Sequence, residues 1–222
     1  MKRELLTTGD GSLTIHLPEW NEQYHSKHGA IAEAVHVFIK TGLTHWISEN
    51  DSCEVSVLEI GFGTGLNAFL TSLEAAKKNL QINYSGIEAY PVSETEIDQL
   101  NYASLLDVSQ RDFLKLHKAC WESPSEINQN FILTKRKQLF SEIKDIEHYN
   151  IVYFDAFGAR VQPELWTESI FELMFKALKP GGVLVTYSAK GSVRRAMQAV
   201  GFLVERMPGP PGKREMLRAT KF

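Results

Sequence analysis

Three glycines at alternate positions, Gly61, Gly63 and Gly65, follow directly on a short apolar run from Val55 to Ile60. An acid, Glu59, stands two residues ahead of the first glycine, and Asn67 two residues beyond the last. A strand that ends in such a turn and passes at once into a helix is the first unit of a nucleotide-binding α/β sheet. Glycine suits the turn because it adopts positive φ freely and lets a ligand approach the backbone. The spacing G-x-G-x-G is neither the G-x-G-x-x-G of a dinucleotide site nor a phosphate loop with its Lys-Ser/Thr. Glu59 would be a poor neighbour for a pyrophosphate, but it can organise a loop that faces a cationic amino-acid moiety. A second acid, Glu88, ends the next apolar run, Ile82 to Ile87, where a carboxylate accepts hydrogen bonds from both ribose hydroxyls. Together these residues favour S-adenosyl-L-methionine over NAD. A third acid, Asp155, closes the continuous apolar run Ile151 to Phe154, as expected for a central parallel strand covered on both faces. It should therefore emerge at the same sheet edge as the glycines and Glu88.

The elements that must position these groups are legible at low resolution. The pattern predicts an α/β fold: a Rossmann-like, mostly parallel seven-stranded sheet with an antiparallel C-terminal strand, preceded by an N-terminal hairpin. Residues 4–17 alternate around the turn Gly9-Asp10-Gly11-Ser12 and form that hairpin. Helices are expected over 30–46, 66–77, 91–102, 109–121, 163–178 and 192–200. Strands are expected over 131–139, 183–188, 202–207 and 215–219, with Lys179-Pro180-Gly181-Gly182 as a turn. Gln138, near the end of its strand, is the candidate for an adenine contact. Tyr24, His25 and His28 precede the first helix, where a loop can fold over a ligand, although an isolated histidine is more often structural. Phe157, Trp166 and Tyr187 are candidates to stack on a base or shield a sulfonium, and equally candidates for the core.

The chain of 222 residues is expected to form a single domain, 1–222, with residues 1–50 as an extension and 51–222 as the Rossmann-like core. No stretch approaches the ~20 apolar residues of a membrane span, no signal peptide is legible, and Cys53 and Cys120 lie far apart with no metal-ligand spacing. A cytoplasmic, metal-free protein with free thiols is the expectation. The net charge of −3 argues against indiscriminate nucleic-acid binding. Its distribution says more: Lys190 to Phe222 hold eight Lys/Arg against two Glu, a net +6, whereas the remainder carries −9. A basic end on an acidic body suits a phosphate-bearing partner, or is simply a solvated face. Arg194, Arg195, Lys213 and Arg214 are its candidate contacts.

Taken in order, the motifs resemble a known family. Asp10-Gly11-Ser12, Tyr24-His25-Ser26, Gly61-Phe62-Gly63-Thr64-Gly65-Leu66-Asn67, Asp155-Ala156-Phe157, Pro163-Glu164-Leu165-Trp166, Pro180-Gly181-Gly182, Val193-Arg194-Arg195 and Lys213-Arg214-Glu215-Met216 are similar to the methyltransferase half of the MnmC-type enzymes. Those enzymes make 5-methylaminomethyl-2-thiouridine at the tRNA wobble position. The match runs from about residue 8 to residue 219. The resemblance implies S-adenosyl-L-methionine as methyl donor, tRNA with a 5-aminomethyl wobble uridine as acceptor, and Asp155 as the residue that holds the amine. In the bifunctional members an FAD-dependent oxidase follows; its absence from this sequence points to a stand-alone form with a separate oxidase as a possible partner. Gln138 departs from the acid that many methyltransferases place near the adenine.

Two other classes remain open at this level. An enzyme acting on free amines, a small-molecule N-methyltransferase or an aminopropyltransferase, would also want an acid at Asp155, though the basic C-terminal segment suits a cationic polyamine badly. A non-catalytic tRNA- or nucleoside-binding module would not need that carboxylate.

Overall fold

The computed structural model describes residues 2–222. Its main sheet has eight strands. The central five, β7 (Phe131–Arg136), β5 (Gln81–Ile87), β4 (Glu54–Ile60), β8 (Tyr149–Phe154) and β9 (Leu178–Thr186), run parallel. Antiparallel strands finish both edges: β6 (Ser125–Asn128) beside β7, and β11 (Glu215–Thr220) with β10 (Leu203–Pro208) beyond β9. The sheet thus has one strand more than the seven expected. The addition is β6, which reads locally as a loop after Ser123-Pro124 but reverses through Asn128 to pair with β7 as a hairpin.

Alternation along the strands explains why both faces are covered. Val55 and Val57 of β4, Ile151 and Tyr153 of β8, and Val183 and Val185 of β9 face one core. Leu58 and Ile60, Val152 and Phe154, and Leu184 face the other. Side chains of a strand point alternately to its two faces, so these nearly unbroken apolar runs require helices on both sides. The first face is covered by a continuous helical stretch over 30–49 and by α3 (Leu66–Lys78) and α6 (Gln110–Lys118). The stretch comprises α1 (Ala30–Ala34), a wider-wound middle (Val35–Thr44) and α2 (His45–Glu49). The second face is covered by α7 (Glu168–Ala177) and α8 (Gly191–Ala199).

Several expected elements differ in detail. The helix anticipated over 91–102 is two single turns, α4 (Glu94–Ile97), opened by a capping box from Ser93 and Glu96, and α5 (Tyr102–Leu105). The helix anticipated over 163–178 is broken: a short tight turn, Pro163–Trp166, ends at Thr167, whose extended backbone (φ −93°, ψ 162°) starts α7 afresh. Lys179-Pro180-Gly181-Gly182 belongs to β9, which shifts register there against β8 while Gly181 N–H donates to Lys221 O. The N-terminal hairpin is a three-stranded antiparallel sheet, because β1 (Glu4–Thr7) and β2 (Leu13–Leu17) are joined by β3 (Glu22–Gln23).

Candidate functional site

Strand register alone brings the three acids' neighbourhoods together. Ile60 of β4 lies between Ile87 of β5 and Phe154 of β8, so the next residues, Gly61, Glu88 and Asp155, emerge side by side at the carboxyl edge. Ligands of open α/β sheets bind at that edge. Here it opens into a cavity of about 1410 Å³, larger than the ~300–1,000 Å³ of common small-molecule pockets, with room for a nucleoside and a second base.

The glycine loop forms the floor. Gly61, Gly63 and Gly65 all have positive φ (89°, 49° and 73°), and Gly65 caps α3. The reason for glycine is partly different from the one expected. A Cβ on Gly61 would lie 2.6 Å from the carbonyl oxygen of Asp155, and one on Gly63 would lie 3.1 Å from the Tyr24 ring. The glycines therefore let the loop seat against the protein's own backbone and the Tyr24 ring, besides leaving its inner surface bare. Glu88 is tied to the same loop: one carboxylate oxygen accepts Gly63 N–H (3.0 Å) and the other Tyr90 N–H (2.9 Å). Each oxygen keeps a second lone pair for another donor, and Glu88 lines the cavity.

Beneath the floor lies a buried carboxylate chain. Asn67 Nδ2 donates to Glu59 Oε1 (2.9 Å) and to Asp155 Oδ2 (2.8 Å). Glu59 is fully buried beside Tyr84 and Tyr153, and burial, reinforced by the charge of Asp155, holds its carboxyl well above the usual range. Glu59 thus organises the loop through Asn67 and does not itself line the cavity. Asn67 does line it, and its Oδ1 is buried without a partner among the described residues, so an acceptor is left for a donor in the cavity. Burial also lifts Asp155, to about 7, with Glu33 pushing the same way and Asn67 and Lys213 opposing.

The walls come from four segments. Phe157 meets Tyr24 edge-on at 4.9 Å and Trp20 at 5.7 Å. Tyr187 donates its hydroxyl to Ala156 O (2.9 Å), which packs the ring beside Asp155. Leu139, Phe140 and Ser141 face the cavity from the segment after β7. The N-terminal sheet closes the top, held by Arg160, which donates to Trp20 O and Asn21 O and pairs with Glu22 at 2.8 Å.

The expected residues are distributed unevenly over this site. Gly61, Gly63, Asn67, Glu88, Asp155, Tyr24, His25, Phe157, Tyr187 and Lys213 line the cavity. Trp166 is core, meeting Phe154 edge-on and donating its indole N–H to Phe157 O (2.7 Å). Gln138 is not on the cavity wall: its Oε1 accepts from Arg136 at 3.4 Å, and that guanidinium is itself fixed by Asp145. Arg194, Arg195 and Arg214 do not line the cavity either; Arg195 and Arg214 are exposed outside it. Lys213 is inside, paired with Glu33. Glu33 itself escaped the sequence reading. An acid in a first helical turn reads as a partner of the helix dipole, and no local signal announces a lysine 180 residues away.

His25 reaches the cavity as a structural group. Its Nδ1 lies 3.0 Å from Thr14 Oγ1 and its Nε2 3.4 Å from Thr64 Oγ1, a bridge from the N-terminal sheet to the glycine loop. Burial lowers its pKa to about 4 from an ordinary 6.5. The folded protein therefore keeps the ring neutral, whereas the unfolded chain takes up a proton below 6.5. That contribution to stability is present above pH 6.5 and is lost as pH falls toward 4, on the order of 3 kcal/mol for a fully buried ring. His117, also lowered to about 4 by burial, acts with the same sign. Urea unfolding at pH 7 and pH 4.5 checks this: His25→Gln should lose less stability between the two values than the parent, and an unchanged loss would exclude His25 as a source.

Comparison with known proteins adds to this geometry. The family model described as S-adenosyl-L-methionine-dependent methyltransferase matches residues 101–222. The tRNA 5-methylaminomethyl-2-thiouridine biosynthesis bifunctional protein MnmC of Cupriavidus metallidurans is 28% identical over 96% of this chain and 33% of its own length. The protein of the same name from Cupriavidus necator is 30% identical over 91% of this chain and 32% of its own length. The chain thus spans about a third of these curated relatives. Among solved structures, MNMC2 of Aquifex aeolicus superposes with a TM-score of 0.79 at 25% identity, over 99% of this chain and 70% of that one. Spermidine synthase of Thermotoga maritima shares the fold, with a TM-score of 0.59 at 12% identity over 99% of this chain and 68% of that one.

Proposed function

Because this chain belongs to the S-adenosyl-L-methionine-dependent methyltransferase family, we propose that it methylates the primary amine of 5-aminomethyl-(2-thio)uridine at the tRNA wobble position, giving the 5-methylaminomethyl nucleoside. The observation that carries this reading is an acidic pocket, Asp155 with Glu33 behind it, in a cavity wide enough for cofactor and base together. The likeness to MnmC proteins over 91–96% of the chain supports it.

The residues present fit the cofactor. Glu88 offers free lone pairs to a ribose, the glycine loop exposes a bare backbone, and the unpartnered Asn67 Oδ1 can accept from an ammonium. S-adenosyl-L-methionine, when bound, supplies an electrophilic methyl on a sulfonium. The chain's own part is to deliver a neutral amine in line with it, because an alkylammonium has no lone pair. Asp155 holds the incoming ammonium and takes up its proton; a carboxyl raised to about 7 is suited to both at neutral pH. Phe157, Tyr187 and Tyr24 wall the base in and exclude water, so orientation supplies much of the rate. A wobble base can be splayed out of a single-stranded anticodon loop and read by stacking. The exposed Arg195 and Arg214, with Arg194 beside them, meet the stem phosphates, which position without specifying. An FAD-dependent oxidase acting earlier would supply the aminomethyl group. No helix among the described residues is long and apolar enough to cross a membrane, and we place the reaction in the cytoplasm, where tRNA is modified.

Nucleoside mass spectrometry of tRNA carrying 5-aminomethyl uridine, incubated with the protein and S-adenosyl-L-methionine, tests the proposal. A gain of one methyl on that nucleoside is expected. No gain on tRNA, with methylation or aminopropylation of a polyamine in a parallel panel, would replace this reading by that of a small-amine enzyme.

A further inference from the structure

Lys213 comes from the proline- and glycine-rich loop between β10 and β11, yet its ammonium is turned into the cavity. Nζ donates to Glu33 Oε1 at 2.6 Å and lies 3.9 Å from the centre of the Tyr187 ring. The second oxygen of Glu33 accepts Ser26 N–H at 2.8 Å, and the Glu33 residue is only 7% exposed. A cation so placed, over an aromatic face and against a buried carboxylate, is already paired, although its own side chain stays partly exposed. To reach a tRNA phosphate it would have to abandon both partners.

We propose that Lys213 is a positioning residue of the methyl-transfer site, which keeps Asp155 charged for the acceptor amine, with Glu33 as the counter-charge that fixes the lysine in place. The inference rests on reading the cavity as a methyl-transfer centre and changes the role of Lys213 from a phosphate contact to an internal one. Three charges decide it. Asp155 and Glu33 are carboxylates lining one cavity, and the charge of Glu33 disfavours ionisation of Asp155. The ammonium of Lys213 opposes that repulsion, and when Asp155 is ionised the group carries a net charge of −1, the complement of one alkylammonium. Without Lys213 a larger share of Asp155 would be protonated at neutral pH, and a protonated carboxyl neither attracts an ammonium nor receives its proton.

The other charged or titratable groups around Asp155 are Glu59 from β4, reached through Asn67 of α3, and Tyr187 after β9. Glu88 after β5, Glu22 of β3, Lys190 before α8 and His28 before α1 line the same cavity. The loop that carries Lys213 rests on His28, since a Cβ on Gly212 would fall within that ring. Lys213 lies over the Tyr187 ring, whose hydroxyl donates to Ala156 O beside Asp155; Glu33 raises the Asp155 carboxyl and Lys213 lowers it, so removing each in turn should move Asp155 in opposite directions.

The test pairs Lys213→Met with Glu33→Gln, which keeps an oxygen for the lysine. Two readouts are taken: the pH dependence of single-turnover methyl transfer, and the 13C titration of the Asp155 carboxyl in cofactor-bound protein. Lys213→Met should move the acid limb and the carboxyl titration up by about one pH unit, and Glu33→Gln should move both down by a comparable amount. S-adenosyl-L-methionine affinity within about threefold of the parent shows that both variants fold. If the two variants move the titration in the same direction, or leave it unmoved while the rate falls, Lys213 is a loop anchor and the proposal fails. An increase in tRNA KM with an unmoved titration would return Lys213 to the phosphate surface and also overturn it. The carboxyl titration needs no acceptor, so opposite shifts in a protein that methylates no tRNA would sink the proposed acceptor and leave the charge relation standing.

Discussion

Asp155→Asn should lower the single-turnover rate of methyl transfer by about 10²–10⁴-fold, the span typical of removing a positioned general base, while S-adenosyl-L-methionine still binds. Asparagine keeps the shape of the side chain and an oxygen to accept from Asn67 Nδ2, which lies 2.8 Å from Asp155 Oδ2. What it removes is the charge and the capacity to take a proton. The amine then enters less readily and, once in, stays an ammonium more often. Raising the pH should recover part of the loss, because free amine becomes available from solution without the carboxylate. Rates measured at pH 7 and pH 9, with cofactor binding followed by calorimetry, separate these contributions. A variant that keeps more than a tenth of the parent rate at pH 7 would remove Asp155 from the chemistry.

Gly61→Ala should be the most damaging single-methyl change in the site. Its backbone has φ 89°, a region that L residues enter only at a cost of about 1–2 kcal/mol, and its new Cβ would lie 2.6 Å from the Asp155 carbonyl oxygen and 3.2 Å from the carbonyl carbon. Two strands' ends must part to relieve that contact, and both carry site residues. A loss of about 2 kcal/mol corresponds to roughly 4–8 °C in melting temperature for a chain of this size. Cofactor affinity should fall at least tenfold as the loop lifts away. Gly63→Ala is the internal control: its Cβ meets the Tyr24 ring at 3.1 Å, a side chain with freedom to move, so it should cost less in both measurements. Equal effects of the two substitutions would show that φ alone governs the loop and that the approach to Asp155 does not matter.

Much of this architecture is local in origin and was legible for that reason. The β-branched run before Gly61, the acids ending at Glu88 and Asp155, and the alternation of the C-terminal pair are properties of short windows, and the strands they predict are present. The elements that differ from expectation depend on partners from elsewhere. Ser125–Asn128 becomes a strand only because β7 offers an edge, and Glu22–Gln23 only because β2 does. Thr167 breaks its helix where the neighbouring Trp166 is committed to the Phe157 carbonyl.

The site divides along the same line. Residue order by itself determined that a glycine turn and two acids, Glu88 and Asp155, would meet at one sheet edge, since parallel strands of similar length end together. Tertiary structure decided the rest. It buried Glu59 beneath the loop, turned Gln138 toward Arg136, drew Lys213 inward to Glu33 and left Arg195 and Arg214 outside. A side chain's charge is written in the sequence. Whether it faces water, a ligand or an opposite charge depends on which distant segment folds against it.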